Sequence, residues 1–387
     1  MFSRHALPFP SNDAPLRLFF DARHIRLDHH DGISRYTAEL AQAIARIAPV
    51  TFVISDPRHL DYLPEKADVV SIHDRASALE PFASLILNRH RPDVVFSPMQ
   101  TLGSTGRRFG LILTLHDMIY YRHRTPPRDL PWLLRIGWRA FHLTYIPQRI
   151  TLDGADMVCT VSEKSRDDFR RARLTKRPVF VAPGAPRDLE QFGSRASAPS
   201  RPRRNLVYMG SYMPYKNVET LIAAMADLSG RTLHLLSKIE PGRRTELEAA
   251  VPPGASVVFH NGVTDEVYAA LLADDAVLVT ASKDEGYGLP VAEALAFGAP
   301  AVVADMAVFR EIAGEGALFF PATNVAAFVR AVVSLDDPAI AEALIARGRA
   351  QAAKYSWDLS ARIILDAATA IRDARAARRA VPPGVTR

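Results

Sequence analysis

The chain has 387 residues, 48% hydrophobic and 23% charged, which excludes a disordered or fibrous polymer and, at about 150–200 residues per domain, predicts two domains. Its net charge of +6 comes from 48 basic and 42 acidic residues, interleaved along most of the chain, so a nucleic-acid partner is not expected. The single cysteine, Cys159, excludes an internal disulfide. No apolar run reaches the roughly 18–20 residues of a membrane-spanning helix, and the first 15 residues carry no leader core, so a soluble cytoplasmic protein is expected.

Residues 1–15 read as a frayed end. Residues 16–25 (LRLFFDARHI) predict a short buried strand, and 32–48 (GISRYTAELAQAIARIA) a helix with apolar positions at helical spacing. Residues 50–55, 68–72, 93–98 and 111–117 are nearly continuous apolar runs, as parallel strands covered on both faces should be. Residues 155–171 predict a strand, a serine cap and a helix, and 178–184 one more strand. Residues 186–204, rich in Pro, Ser and Arg without apolar periodicity, read as a linker. The alternation then restarts with strands at 205–212, 231–237, 256–263, 276–282, 300–305 and 317–320. Helices alternate with them at 217–228, 241–250, 265–273, 289–298 and 306–313, followed by 324–335 and 337–354. Two such blocks predict two doubly wound α/β domains with parallel sheets, 1–185 and 205–357, with a final helix at 358–376 packing back on the first.

Parallel sheets bind ligands beyond the carboxyl ends of their strands, which directs attention to residues 282–305. There Glu285 and Glu293 bracket Gly286 and Gly288, with Pro290 near the start of a helix. The glycines permit close backbone approach, and the helix start offers N–H groups and partial positive charge. A carboxylate before the turn can accept from sugar hydroxyls, and one a turn later can hold a ribose diol. The same residues also read as an acidic loop and a helix-dipole glutamate. No Asp-x-Asp, G-x-G-x-x-G or Walker loop occurs, which argues against a metal-bound diphosphate, a dehydrogenase and an ATPase. Asp28, His29, His30 and Asp31 read as a solvated polar loop rather than a metal site.

The run S-K-D-E-G-Y-G-L-P-V-A-E-A-L-A-F-G-A-P at 282–300 resembles the signature of the retaining nucleotide-sugar glycosyltransferases of family 4, which have the GT-B fold. D-A-R (21–23), G-I-S-R-Y (32–36), T-L-H-D (114–117), T-V-S-E-K-S-R-D-D (160–168), M-G-S-Y-M-P-Y-K-N (209–217), H-N-G-V-T-D (260–265) and Y-S-W (355–357) stand in the family's order. The resemblance implies two Rossmann-like domains facing across a cleft. It gives Glu285 the hydroxyls of the transferred sugar, Lys216 the phosphates and Glu293 the ribose, with Gly210 and Ser211 in the phosphate loop. Backbone amides of Gly286, Tyr287, Gly288 and Leu289 would face the sugar and diphosphate, and Val263 and Thr264 would pass the base. In the first domain, His116 would line the cleft near the sugar's outer hydroxyls. Gly32, Ile33 and Ser34 would approach the diphosphate and acceptor, with Asp117 and Ser162 at the acceptor edge. Asn217 reads as a helix N-cap. Tyr215 and Ser211 stand where many relatives carry arginine, which makes Arg35 the candidate for a second phosphate cation.

The implied reaction transfers a hexose from a nucleotide diphosphate sugar to a hydroxyl of a glycan or lipid-linked glycan, with retention and without metal or cofactor. GDP-mannose is the first candidate donor; UDP-glucose, UDP-N-acetylhexosamine and rhamnosyl donors are the others. A catalytically weak nucleotide-sugar-binding subunit and a nucleotide-sugar 2-epimerase are the competing readings. Residues 121–150 interleave six arginines and one acid with Trp132, Leu133, Ile136, Trp138, Phe141, Leu143 and Tyr145. That composition suits an element lying on an anionic membrane, or equally a core helix.

Overall fold

The computed structural model describes residues 15–27, 31–126, 132–193, 204–273 and 276–380. Asp28, His29 and His30 lie outside these described residues, as do 1–14, 127–131 and most of the linker. The chain divides into two compact units, Met1–Gly184 with Trp357–Arg387, and Ala185–Ser356.

The first unit is built on Leu18–Asp21 (β1), Val50–Ile54 (β2), Asp68–Ser71 (β3), Val94–Ser97 (β4), Gly110–Thr114 (β5), Met157–Thr160 (β6) and Val179–Val181 (β7). The sheet is parallel, in the order β3-β2-β1-β4-β5-β6-β7. β1, β4 and β5 are buried at every position. Phe20 stands in register with Phe52 and Phe96 on its two neighbours, with ring centroids 5.8 and 5.4 Å away. Each such buried ring contributes about 1.5–3 kcal/mol by leaving water. Asp31 opens the helix Gly32–Ile47 by accepting from the Ser34 amide at 2.8 Å. The C-terminal helix Trp357–Ala380 packs on that helix. Trp357 meets Tyr36 edge-on at 5.6 Å, Arg46 reaches Asp358 at 2.6 Å, and Ser360 donates to the Pro183 carbonyl at 2.6 Å.

The strand expected over 16–25 stops at Asp21 because Arg23 folds back on it. Arg23 Nε and Nη2 donate to Asp21 at 2.8 and 3.0 Å, while Nη1 and Nη2 reach Glu80 at 2.8 and 2.9 Å. Asp21, Arg23 and His24 are all buried. Burial alone would raise the Asp21 pKa, but the charges of Arg23 and His24 hold it below 3.8, at about 2. His24 is pushed down from 6.5 to about 4, chiefly by burial.

The second unit carries Asn205–Tyr208 (β8), Thr232–Leu235 (β9), Ser256–Phe259 (β10), Ala276–Thr280 (β11), Ala301–Ala304 (β12) and Leu318–Phe320 (β13), in the parallel order β10-β9-β8-β11-β12-β13. Leu206, Tyr208, Val277, Val279, Val302, Phe320 and Phe328 belong to its buried core. Burial falls off at the margins of both sheets, most at β3 and β10. β3 and β10 are edge strands with exposed positions, because an outermost strand has one neighbour and incomplete helical cover. Among the described residues no helix is long and apolar enough to cross a membrane.

The buried charges of the first unit make its stability depend on pH. His24 excludes a proton that the unfolded chain accepts below pH 6.5, so stability falls as pH drops from 6.5 toward about 4, by about 3 kcal/mol for this group. Asp21 acts lower: its contribution is whole above pH 3.8 and is lost as pH falls through about 2. Thermal unfolding followed from about pH 7.5 to about 4 should show a falling Tm, with a shallower fall in His24→Gln. The same slope in that variant removes His24 as a source of the effect.

Candidate functional site

The second sheet reverses its strand order between β8 and β11, so the loops leaving these strands run to opposite faces and open a crevice at their carboxyl ends. Three contacts join the two loops. Lys283 N donates to the Tyr215 carbonyl at 2.7 Å. Asn217 Nδ2 donates to the Ala281 carbonyl at 3.1 Å, and to that of Ala322, beyond β13, at 2.7 Å. Lys216 Nζ meets Glu285 Oε1 at 2.6 Å, and Ser282 Oγ donates to the same oxygen at 3.1 Å. The Lys216 and Glu285 side chains are 14% and 15% exposed, screened less than a surface pair yet open to a ligand.

Asn217 occupies the cap position of the helix Val218–Ala224, but its side chain makes no capping bond there. Its left-handed backbone, φ 54°, a conformation asparagine tolerates, turns the amide to the Ala281 and Ala322 carbonyls instead. Tyr215 places its ring 5.4 Å from Lys216 Nζ, a cation–π contact where many relatives carry arginine. Gly210 is explained by packing, since a Cβ there would lie 2.8 Å from the Tyr208 hydroxyl. Its amide donates to Ser237 Oγ at 3.1 Å, and Tyr208 donates to the Ser211 carbonyl at 2.6 Å.

After Glu285 the chain turns through Gly288 at φ +104°, where a Cβ would meet the Phe309 ring at 2.7 Å, so only glycine fits. The helix Leu289–Phe297 starts there, with Pro290 in its first turn and no side-chain cap; Val291 N and Ala292 N donate to the Gly288 carbonyl at 2.9 and 3.3 Å, which leaves the Leu289 amide at the helix start for a ligand or solvent. Met209, Glu285, Gly288 and Phe309 line the crevice beside it. Tyr287 turns its ring inward against Tyr355, 6.2 Å away, so what it offers a ligand is backbone.

Glu293, on the same helix, is buried and accepts from Arg187 Nε at 2.6 Å, while Arg187 Nη1 donates to Asp265 at 2.5 Å. Burial would weaken the guanidinium's hold on its proton; Glu293 and Asp265 reverse this and raise its pKa above the ordinary value. Arg187 corrects the linker reading of 186–204. It is 9% exposed and Leu189 is 2% exposed, so the segment's first residues pack into the second unit. Low apolar content hid this, because the partners are carboxylates from two distant motifs. Val263 and Thr264 follow β10, and the Thr264 carbonyl accepts from Tyr268 N at 3.0 Å as the helix Asp265–Ala273 begins.

In the first unit, His116 lies beyond β5, its Nε2 2.9 Å from the Pro98 carbonyl and its ring edge-on to Tyr36 at 5.1 Å. A carbonyl only accepts, so Nε2 carries a proton and Nδ1 is the acceptor of the neutral ring. Burial lowers the His116 pKa. Asp117 accepts from the Ile119 amide at 2.8 Å, an ordering bond for the turn that follows. Gly32 and Ile33 begin the helix Gly32–Ile47, and Arg35 lies half-buried in its first turn. Ser34 is buried and accepts from the Arg26 amide at 2.8 Å. Ser162 is fully buried and caps the helix Glu163–Arg171 through the Ser165 amide at 3.1 Å, which accounts for it structurally. Among the described residues no group of three or more His, Cys, Asp or Glu side chains could hold a metal ion.

The basic aromatic segment does not form a core helix. Trp132–Phe141 is helical with no buried residue. Trp132, Leu133, Leu134 and Ile136 are 68, 62, 60 and 53% exposed, and Leu143, Ile146 and Ile150 continue the exposed apolar surface.

Two family descriptions match the chain: "Glycosyltransferase Family 4" over residues 30–185 and "Glycosyl transferases group 1" over residues 203–337. An "O-antigen chain mannosyltransferase B" of Escherichia coli is 25% identical over 366 residues, covering 84% of this chain and 93% of the relative. Among solved structures, sucrose-phosphate synthase from Thermosynechococcus elongatus matches with TM-score 0.71 and 19% identity, covering 94% of this chain and all of that one. Anabaena Alr3699/HepE in complex with UDP-glucose matches with TM-score 0.65 and 15% identity, over 94% of this chain and 99% of that one. With the two parallel-sheet units and the loops that end β8 and β11, these matches identify the chain as a family 4-like glycosyltransferase of the GT-B fold.

Proposed function

We propose that the protein transfers a hexose, with retention, from a nucleotide diphosphate sugar to a glycan or lipid-linked glycan in bacterial surface polysaccharide or glycolipid synthesis. The observation that carries this reading is the Lys216–Glu285 pair at the strand-order reversal, 2.6 Å apart and flanked by an uncapped helix start. An ammonium and amide dipoles suit a diphosphate, and a carboxylate beside them suits sugar hydroxyls. The mannosyltransferase named among the relatives supports mannose, with GDP-mannose as the first donor, and O-antigen-like products. The neighbour that holds UDP-glucose supports the nucleotide-sugar class.

In this mechanism the acceptor oxygen bonds the anomeric carbon from the face the diphosphate leaves. The bond from that carbon to the phosphate oxygen breaks, its electron pair goes to the diphosphate, and a phosphate oxygen takes the acceptor's proton. Lys216 stabilises the departing charge, Glu285 orients the sugar through its hydroxyls, and Glu293 holds the ribose. In this reading Lys216 is the phosphate cation of the second unit.

The exposed apolar face of Trp132–Phe141, with Arg135 and Arg139 on the same element, supports a peripheral position on an anionic membrane, where a lipid-linked acceptor would lie.

Glu285→Gln and Lys216→Ala should each cut transfer by about 100-fold while the protein stays folded; near-wild-type turnover in either removes that residue from the site. Transfer should continue in EDTA, because the groups assigned to the diphosphate are a cation and amides. Loss in chelator, restored by a divalent ion, contradicts the mechanism. On anionic liposomes the protein should float at low salt and be released at high salt, and Arg135→Glu with Arg139→Glu should abolish flotation. Absence of binding at low salt ends the membrane assignment.

A further inference from the structure

Arg187 brings together three stretches of the second unit that are far apart in sequence: the residues following Gly184, the start of Asp265–Ala273, and Leu289–Phe297. Its planar fork serves Glu293 through Nε at 2.6 Å and Asp265 through Nη1 at 2.5 Å, a bridge that lysine's single ammonium cannot reproduce. The third nitrogen, Nη2, is buried and has no hydrogen-bond partner among the described residues. An orphaned buried donor is disfavoured in a bridge that serves folding alone.

Glu293 is 3% exposed. Arg187 engages its Oε1, and no described residue donates to Oε2. A ribose diol presents two hydroxyl donors and requires an ionised carboxylate held in one orientation. Without the guanidinium, a carboxylate this buried has no donor to hold it in one orientation, and two-donor recognition is lost.

We propose that Arg187 is a positioning residue for the donor, fixing the Glu293 carboxylate for the ribose of the nucleotide and tying the loop that carries Val263 and Thr264 to the same point. This rests on the reading of Glu293 as the ribose ligand.

The test compares the Kd of GDP and of UDP with those of their 2′,3′-dideoxy forms, using the full-length protein, Arg187→Met, Arg187→Lys, Glu293→Gln and the Arg187→Met/Glu293→Gln pair. For whichever ribonucleotide binds, Arg187→Met should weaken it by about 10-fold or more and leave the dideoxy form nearly unchanged. Arg187→Lys should recover part of the loss, and the double variant should be no weaker than Glu293→Gln. Equal losses for the ribo and dideoxy forms, or no loss for either, overturn the proposal. If Arg187→Met does not fold, Arg187→Lys decides alone: an intermediate loss confined to the ribonucleotide supports positioning, and any other result overturns it. Wild-type protein that binds ribo and dideoxy forms equally retires the ribose reading of Glu293, and the proposal with it. Failure of both GDP and UDP to bind does the same through the donor reading.

Discussion

An ammonium and a carboxylate held 2.6 Å apart, where the second sheet reverses its strand order, are the constraint around which that unit is arranged. Lys216 and Glu285 are 69 residues apart in sequence and meet because β8 and β11 are neighbours while the chain leaves them toward opposite faces. The surrounding bonds serve that meeting. Asn217 anchors one loop to the Ala281 carbonyl of the other, and Lys283 N closes on Tyr215. Gly288, forced by the Phe309 ring, brings the helix start alongside. On the proposed reading, phosphate oxygens compete for the ammonium and sugar hydroxyls for the carboxylate, so the pair holds the two groups in place before a donor arrives.

The first unit has the same reversal between β1 and β4 and uses it differently. Asp21, Arg23 and Glu80 also form an ion cluster, but the Arg23 side chain is fully buried and both carboxylates are engaged by its fork. A buried charge that loses its partner is costly, and one already satisfied has little to give a ligand. That cluster therefore fixes the turn after β1. Between these two clusters, exposure separates the arginine that braces a turn from the candidate site lysine.

Much of this was legible in the amino-acid order. The apolar runs at 93–98 and 276–282 became fully buried central strands because both faces of a parallel sheet must be dry. Glu285, Gly288 and Lys216 could be chosen because their spacing around a strand, a turn and a helix matches a known signature. Edge position was not legible: β3 and β10 carry valines like the central strands, and only the order of connections exposes them. Nor was Arg187. It lies in a polar stretch whose composition signals solvent, and its burial depends on two carboxylates 78 and 106 residues away. Asn217 was placed correctly at the start of a helix, but its left-handed backbone redirected the side chain.

The central claim is that Lys216 binds the diphosphate of a nucleotide held in the second unit. Its most direct test is a thermal-shift comparison of nucleoside, monophosphate and diphosphate for guanosine and uridine, with wild-type protein and Lys216→Ala. A ligand at 100 times its Kd stabilises by about 2.7 kcal/mol, well within reach of the method. The account predicts that for one base the diphosphate raises Tm above the monophosphate, and that this difference disappears in Lys216→Ala. Absence of any diphosphate advantage in the wild type, or its persistence without Lys216, contradicts it.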